Sequence, residues 1–139
     1  MKVLLDTNVV LDVLLDREPF SGPATEILSR IELGEIEGCL CATTITTIHY
    51  LTAKTIGSKR ALLAIRKLLA IFEIAPVNRP VVAAALESRL ADFEDAVMHE
   101  AASQVSAQAI ITRNPSDFKK GTLTIYSPEE LHRILELST

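Results

Sequence analysis

Lys2-Val3-Leu4-Leu5-Asp6-Thr7-Asn8-Val9-Val10-Leu11-Asp12 opens the chain with a short apolar run that stops at a carboxylate. Residues 2–5 read as a buried β-strand, because an unbroken apolar stretch of that length has no polar face to turn to water. The pattern then changes period. Residues 8–15 read as a helix, closed by the turn Asp16-Arg17-Glu18-Pro19. Asp6 therefore sits where a strand ends and a helix begins, at the rim of whatever sheet the strand joins.

Working outward, the same alternation repeats. Ser21 and Pro23 mark a helix start, with Gly34 as its stop. Residues 38–42 read as a second strand, and Thr43 or Thr44 as the cap of a helix running past Leu51. Ser58 opens a helix over 59–70, with Ala61, Leu62, Ile65, Leu68 and Leu69 along one face. A short strand over 72–75 follows, then a helix from Asn78 and Pro80 to about 90. Asp92 caps a helix over 93–107, with Val97, Met98, Ala101 and Val105 as its buried stripe. Strands over 109–112 and 123–126 come next, and Ser127-Pro128-Glu129-Glu130 starts a last helix through 137. Strands alternating with helices predict a three-layer α/β/α sandwich with a mainly parallel central sheet, built as one domain over 1–139. In such sheets, sites form beyond the carboxyl ends of the strands. Two strands end in residues able to do chemistry: Leu5 runs into Asp6-Thr7-Asn8, and Ile111 into Thr112-Arg113-Asn114.

Composition narrows the class. The 139 residues are 48% hydrophobic and carry a net charge of -4, which excludes a disordered chain. No stretch approaches the roughly 20 apolar residues of a membrane span, and the acid at position 6 interrupts any export signal. Cys39 and Cys41 lie two apart in a strand, where they cannot easily bridge each other, and no zinc spacing accompanies them. Free thiols without an export signal predict a cytoplasmic protein. The acidic balance argues against nucleic-acid binding by global charge, unless bound cations supply positive charge locally.

The acids carry the functional reading. Asp6 is either the cap of the following helix or a site carboxylate. Asp92, Glu94 and Asp95 crowd one helical turn; acids favour that position, but three in four residues repel one another unless a cation neutralises them. Asp117, in the loop Arg113-Asn114-Pro115-Ser116, is either a turn residue or a third site acid. Arg113 is either a phosphate contact or a counter-charge to Asp117. Asp12 is a reserve candidate, otherwise grouped with Asp16, Glu18, Glu26, Glu32, Glu35 and Glu37 as solvated surface. Carboxylates from separate strand ends suit Mg²⁺ or Mn²⁺, hard cations that prefer oxygen and keep several waters. One or two such ions can activate water for in-line attack on a phosphodiester. His49, His99 and His132 lack metal spacing and read as surface or core-edge residues. Neither a serine elbow nor a glycine-rich phosphate loop is present.

Three segments in this order (Leu4 to Asp12, Asp92-Phe93-Glu94-Asp95-Ala96, and Ile111-Thr112-Arg113-Asn114-Pro115-Ser116-Asp117-Phe118) resemble the PIN-domain family, which includes VapC-like toxins of toxin–antitoxin pairs. Ser127-Pro128-Glu129-Glu130-Leu131 follows at the expected place, so the resemblance covers nearly the whole chain. It implies a Mg²⁺- or Mn²⁺-dependent endoribonuclease, often dimeric, silenced by a small antitoxin protein. The metal-binding acids carry over onto Asp6 and Asp95, and the last acidic position onto Asn114 or Asp117, of which only Asp117 is a carboxylate. Thr7, Asn8, Thr112, Arg113 and Thr47 are then the polar groups around substrate. One departure stands out. Relatives carry a glutamate early in the helix after the second strand, where this chain has Thr47, and no Asp or Glu occurs between Glu37 and Glu73. A PIN-like module that binds RNA or protein without cutting is the competing expectation. A phosphotransfer domain also places Asp after its first strand, but the phosphatase version needs a second acid at position 8, and the receiver version a lysine near 113.

Overall fold

The computed structural model describes residues 1–138. Its first strand, β1 (Lys2–Leu5), has Val3, Leu4 and Leu5 fully buried. Val3 and Leu5 pack into one apolar cluster and Leu4 into another, on opposite faces of the sheet. A strand covered on both faces needs an unbroken apolar run, which is what residues 3–5 supply.

The elements follow in strict alternation with helices. Helices α1 (Thr7–Leu14) and α2 (Ser21–Glu32) lead to β2 (Glu37–Cys41). Helices α3 (Thr44–Ile56) and α4 (Ser58–Ile71) lead to β3 (Glu73–Ala75). Helices α5 (Arg79–Leu86) and α6 (Phe93–Gln104) precede β4 (Ala109–Ile111), and a 3₁₀ turn (Pro115–Phe118) precedes β5 (Thr124–Tyr126) and α7 (Pro128–Leu137). The sheet order is β3-β2-β1-β4-β5, and every neighbouring pair is parallel. One face is covered by residues of α1, α2, α3, α4 and α7, the other by α5 and α6. This is the α/β/α sandwich the alternation predicts. Among the described residues, no helix is long and apolar enough to cross a membrane.

Several boundaries differ from the sequence reading, each for a local reason. Helix α5 stops at Leu86 rather than near 90, where the Ser88 hydroxyl accepts the Leu90 N–H at 3.1 Å and offers the backbone a turn instead. Helix α6 stops at Gln104, because Ser106 takes a left-handed φ of 61° that ends the helical path. Neither threonine caps α3 through its side chain; Thr44 instead donates its hydroxyl to the Cys41 carbonyl at 2.8 Å. On α4, Ala61 and Leu68 are buried, but Leu62 and Leu69 are 53% and 57% exposed. Each lies one residue beyond the buried row, about 100° further round the helix.

The order of strands matters more than their lengths. The chain leaves β1 toward β2 and β3 on one side and returns to β4 and β5 on the other. The reversal falls between β1 and β4, where Leu5 pairs with Ile111 and the Asp6 N–H donates to the Ile111 carbonyl at 2.9 Å. At such a reversal the connections diverge and leave a crevice beyond the strand ends. Leu5, fully buried in the core, anchors the end of β1 from which Asp6 emerges. Leu5→Ala is expected to cost about 3 kcal/mol, in the usual range for a buried leucine truncation, measured as the shift in urea midpoint. Unchanged stability would show that the Leu5 side chain does not support this end of β1.

Candidate active site at the strand reversal

Asp6 is held at the crevice by both of its carboxylate oxygens. Oδ1 accepts the Thr7 N–H at 2.8 Å, so Asp6 caps α1, and Oδ2 accepts the Thr112 hydroxyl at 2.8 Å. Capping and site placement, the two readings of Asp6, are thus compatible. The Thr112 hydroxyl in turn accepts the Asn114 N–H at 3.0 Å, which ties the loop after β4 to the end of β1. Asp6 is only 7% exposed, and burial pushes its pKa above the usual carboxylate range. The Thr112 and Thr7 hydrogen bonds pull it down, while Asp117 and Glu94 push it up.

Asp95 reaches the same crevice from the first turn of α6. Asp92 caps that helix, with Oδ1 accepting the Asp95 N–H at 3.0 Å. Burial lifts the Asp95 pKa to about 7, and the charges of Asp92, Asp6, Asp117 and Glu94 add to the lift. Asp117 comes from the 3₁₀ turn, which the fully buried Phe118 anchors in the core. Asp6, Thr7, Asn8, Thr47, Asp92, Glu94, Asp95, Asn114 and Asp117 line one cavity of about 280 Å³, with Leu11, Leu51 and Met98 as its apolar floor. Three elements far apart in sequence thus bring carboxylates to one opening. Thr47 stands in its wall, where relatives are expected to carry an acid.

The chemistry of this donor set suits a hard divalent cation. Every charged group lining the cavity is a carboxylate, and the neighbouring charges help to raise the pKa of Asp6 and of Asp95. A cation relieves that repulsion directly. The Thr7 hydroxyl is buried with no partner among the described residues, leaving a further oxygen at the opening. Among the described residues, no three Asp, Glu, His or Cys side chains are close enough to cage an ion unaided. Mg²⁺ does not require that, since it is commonly held by one or two carboxylates with waters and substrate phosphates completing the shell.

Three expectations change. Arg113 contacts neither the cavity nor Asp117. Its guanidinium donates to Asp12 at 2.9 Å and 3.2 Å and stacks on the Phe20 ring, 4.1 Å from the centroid. Asp12 is not solvated surface; it is 1% exposed, and Arg17 approaches it at 3.6 Å. A buried carboxylate needs paired charge, so Asp12 claims Arg113 before any phosphate can. Arg17 also donates to the Asn8 side chain at 3.4 Å, which orients that wall residue. Thr112, expected among the polar groups around substrate, is likewise fully buried, and it holds Asp6 without lining the cavity. A second clamp was not legible beforehand. His99, one turn after Asp95, is 3% exposed, and its Nε2 accepts the N–H groups of Thr122 and Leu123 at 3.0 Å and 3.3 Å.

Both clamps are open to test. Asp12→Ala strands the Arg113 charge and is expected to cost about 3 kcal/mol, as for breaking other buried pairs, read from urea denaturation. A loss below about 1 kcal/mol, the scale of surface pairs, would mean the clamp holds little. For His99, burial lowers the pKa below its ordinary 6.5, with Glu100 opposing. The unfolded state then binds the proton more readily than the folded one. The stability contributed by neutral His99 is therefore full above pH 6.5 and is lost as pH falls below it. Between pH 7 and 5, wild-type protein is expected to lose more melting temperature than His99→Gln. Parallel profiles would remove His99 from the acid response.

A model of the PIN domain matches residues 2–116. Among curated proteins, the chain is 25% identical over 134 residues to Ribonuclease VapC1 of Aquifex aeolicus, covering 93% of this chain and 92% of that one. Among solved structures, it resembles VapBC2 from Rickettsia felis bound to a DNA fragment from their promoter, with a TM-score of 0.72, 13% identity, and 91% and 98% of the two chains covered. A toxin–antitoxin complex from Klebsiella pneumoniae aligns at a TM-score of 0.68 and 22% identity, over 91% and 97% of the chains. At these identities the structures speak for the fold. The sequence model reaches from β1 into the 3₁₀ turn, across the crevice and both strand ends that build it, and the chain belongs to the PIN-domain family.

Proposed function

We propose that this protein is a Mg²⁺- or Mn²⁺-dependent endoribonuclease that acts as the toxin of a toxin–antitoxin pair. The observation that carries the reading is the meeting of Asp6, Asp95 and Asp117, from three separate elements, on one cavity at the strand reversal. The relationship to a curated ribonuclease over most of both chains supports RNA as the substrate.

Asp6 and Asp95 are the residues that would hold the cation, and Asp117, on the same cavity, would position water beside it. When bound, the cation supplies positive charge that polarises a phosphoryl oxygen and acidifies water. Thr112 keeps the Asp6 carboxylate in one orientation from behind. Thr7, Asn8, Asn114 and Thr47 offer neutral hydrogen-bonding groups around the opening, suited to ribose and phosphate oxygens without adding negative charge. The partner is a small antitoxin protein, as the likeness to a toxin–antitoxin complex suggests. A homodimer is the family's usual form, and the free, buried Cys39 and Cys41 suit a reducing cytoplasm.

Thr47 favours a second reading, a PIN-like module that binds without cutting. Its hydroxyl replaces a carboxylate in the cavity wall and so lowers the negative charge available to a cation. Calorimetric titration with Mn²⁺ alongside an RNA cleavage assay separates the two. Asp6→Asn and Asp95→Asn are each expected to reduce cleavage at least about 100-fold, the upper range already seen for outer-shell partners of metal sites, and to abolish growth inhibition on expression. Cleavage retained by both variants would end the nuclease reading. Wild-type protein that binds Mn²⁺ and RNA but leaves the RNA intact would establish the binding module.

A further inference from the structure

Beside the carboxylate cavity lies a second cavity of about 260 Å³ that shares Asp92, Asp95 and Asp117 with it. The remaining walls of this neighbour are different in kind: Leu90 and Ala91 on one side, Ser116, Lys119 and Lys120 on the other. Lys119 and Lys120 are exposed, and neither has an ion-pair partner among the described residues. They are the cations among the residues that line these two cavities.

We propose that Lys119, Lys120 and Ser116 form a phosphate subsite for the nucleotide next to the cleaved bond of a single-stranded RNA. The proposal rests on the nuclease reading and deepens it. A strand whose scissile phosphate enters among five carboxylates is repelled by them, and the chain's net charge of -4 gives no general attraction to offset this. Positive charge must therefore act locally, on the phosphates that flank the reacting one. The two lysines supply it immediately after Asp117, on a turn fixed by buried Phe118. Leu90 and Ala91 across the cavity offer an apolar wall to the sugar or base of the same nucleotide. A single strand can bend its backbone into a recess where Asp6 is 7% exposed, whereas a duplex presents its phosphates on a convex cylinder. The lysines therefore hold the strand on the side of the site bounded by the 3₁₀ turn.

Binding of a labelled single-stranded RNA to the Asp6→Asn protein, across a salt series, tests the subsite without requiring turnover. Adding Lys119→Gln and Lys120→Gln should weaken binding and flatten the salt dependence by about 1.4 in log–log slope, at about 0.7 per phosphate contact on a single strand. Between about 50 and 200 mM salt, the double variant should thus lose about sevenfold less affinity than its parent. Lys119→Arg with Lys120→Arg, which keeps the charge, should retain the parental slope. In cleavage assays on the otherwise wild-type protein, the loss should fall in KM. An unchanged slope and affinity in the Gln variant would overturn the subsite even if the protein proves to be a nuclease. A reduced slope would uphold it even if cleavage were never seen. Unchanged RNA binding with weakened antitoxin binding would assign the lysines to the protein partner and overturn it as well.

Discussion

The hydrogen bond between the Thr112 hydroxyl and Asp6 Oδ2, 2.8 Å long, ties together the two sides of the strand reversal. Its participants lie 106 residues apart, and each is the first residue beyond a buried strand. The register between β1 and β4 brings them side by side, and the bond then holds the carboxylate against its own wish to be solvated. Burial raises the Asp6 pKa, while Thr112 and the Thr7 N–H oppose the rise. Asp6 is thereby kept at the floor of the crevice, ready to share charge with whatever cation enters.

Much of this arrangement was legible in the residues. The runs 2–5 and 109–112 read as strands, and the polar residues that follow each, Asp6-Thr7-Asn8 and Thr112-Arg113-Asn114, pointed to the rim of the sheet. The crowding of Asp92, Glu94 and Asp95 in one turn carried its own signal, since it exceeds what helix capping needs. Other features depended on partners remote in sequence. Asp12 looked like one more acid on a helix, because nothing local says that Arg113 will arrive from β4 to bury with it. His99 lacked metal spacing and so seemed incidental, although its role is to accept two backbone N–H groups from the stretch before β5. Helical periodicity also overstated the buried face of α4, because it ranks residues by angle without knowing how wide the covering surface is. The exposed Leu62 and Leu69 show that the cover is narrow.

The site's electrostatics follow from the fold's economy. Three segments deliver carboxylates to one opening, and two of them hold an acid with a backbone N–H: Thr7 for Asp6, and Asp95 for Asp92. These donors offset part of the repulsion within the cluster. Asp95 has its pKa lifted to about 7, by burial first and by the neighbouring acids in addition. Thr47 stands in the cavity wall as a neutral hydroxyl, so α3 adds no charge to the acids that the other segments bring.

The clamp at His99 has a mechanical corollary. Asp95 and His99 occupy successive turns of α6, and His99 grips the backbone just beyond the turn that carries Asp117. Thr122 and Leu123 lead directly into β5, which pairs with β4, so the helix that carries Asp95 is fastened to the same sheet whose β1 end carries Asp6. One framework thus sets the positions of both acids.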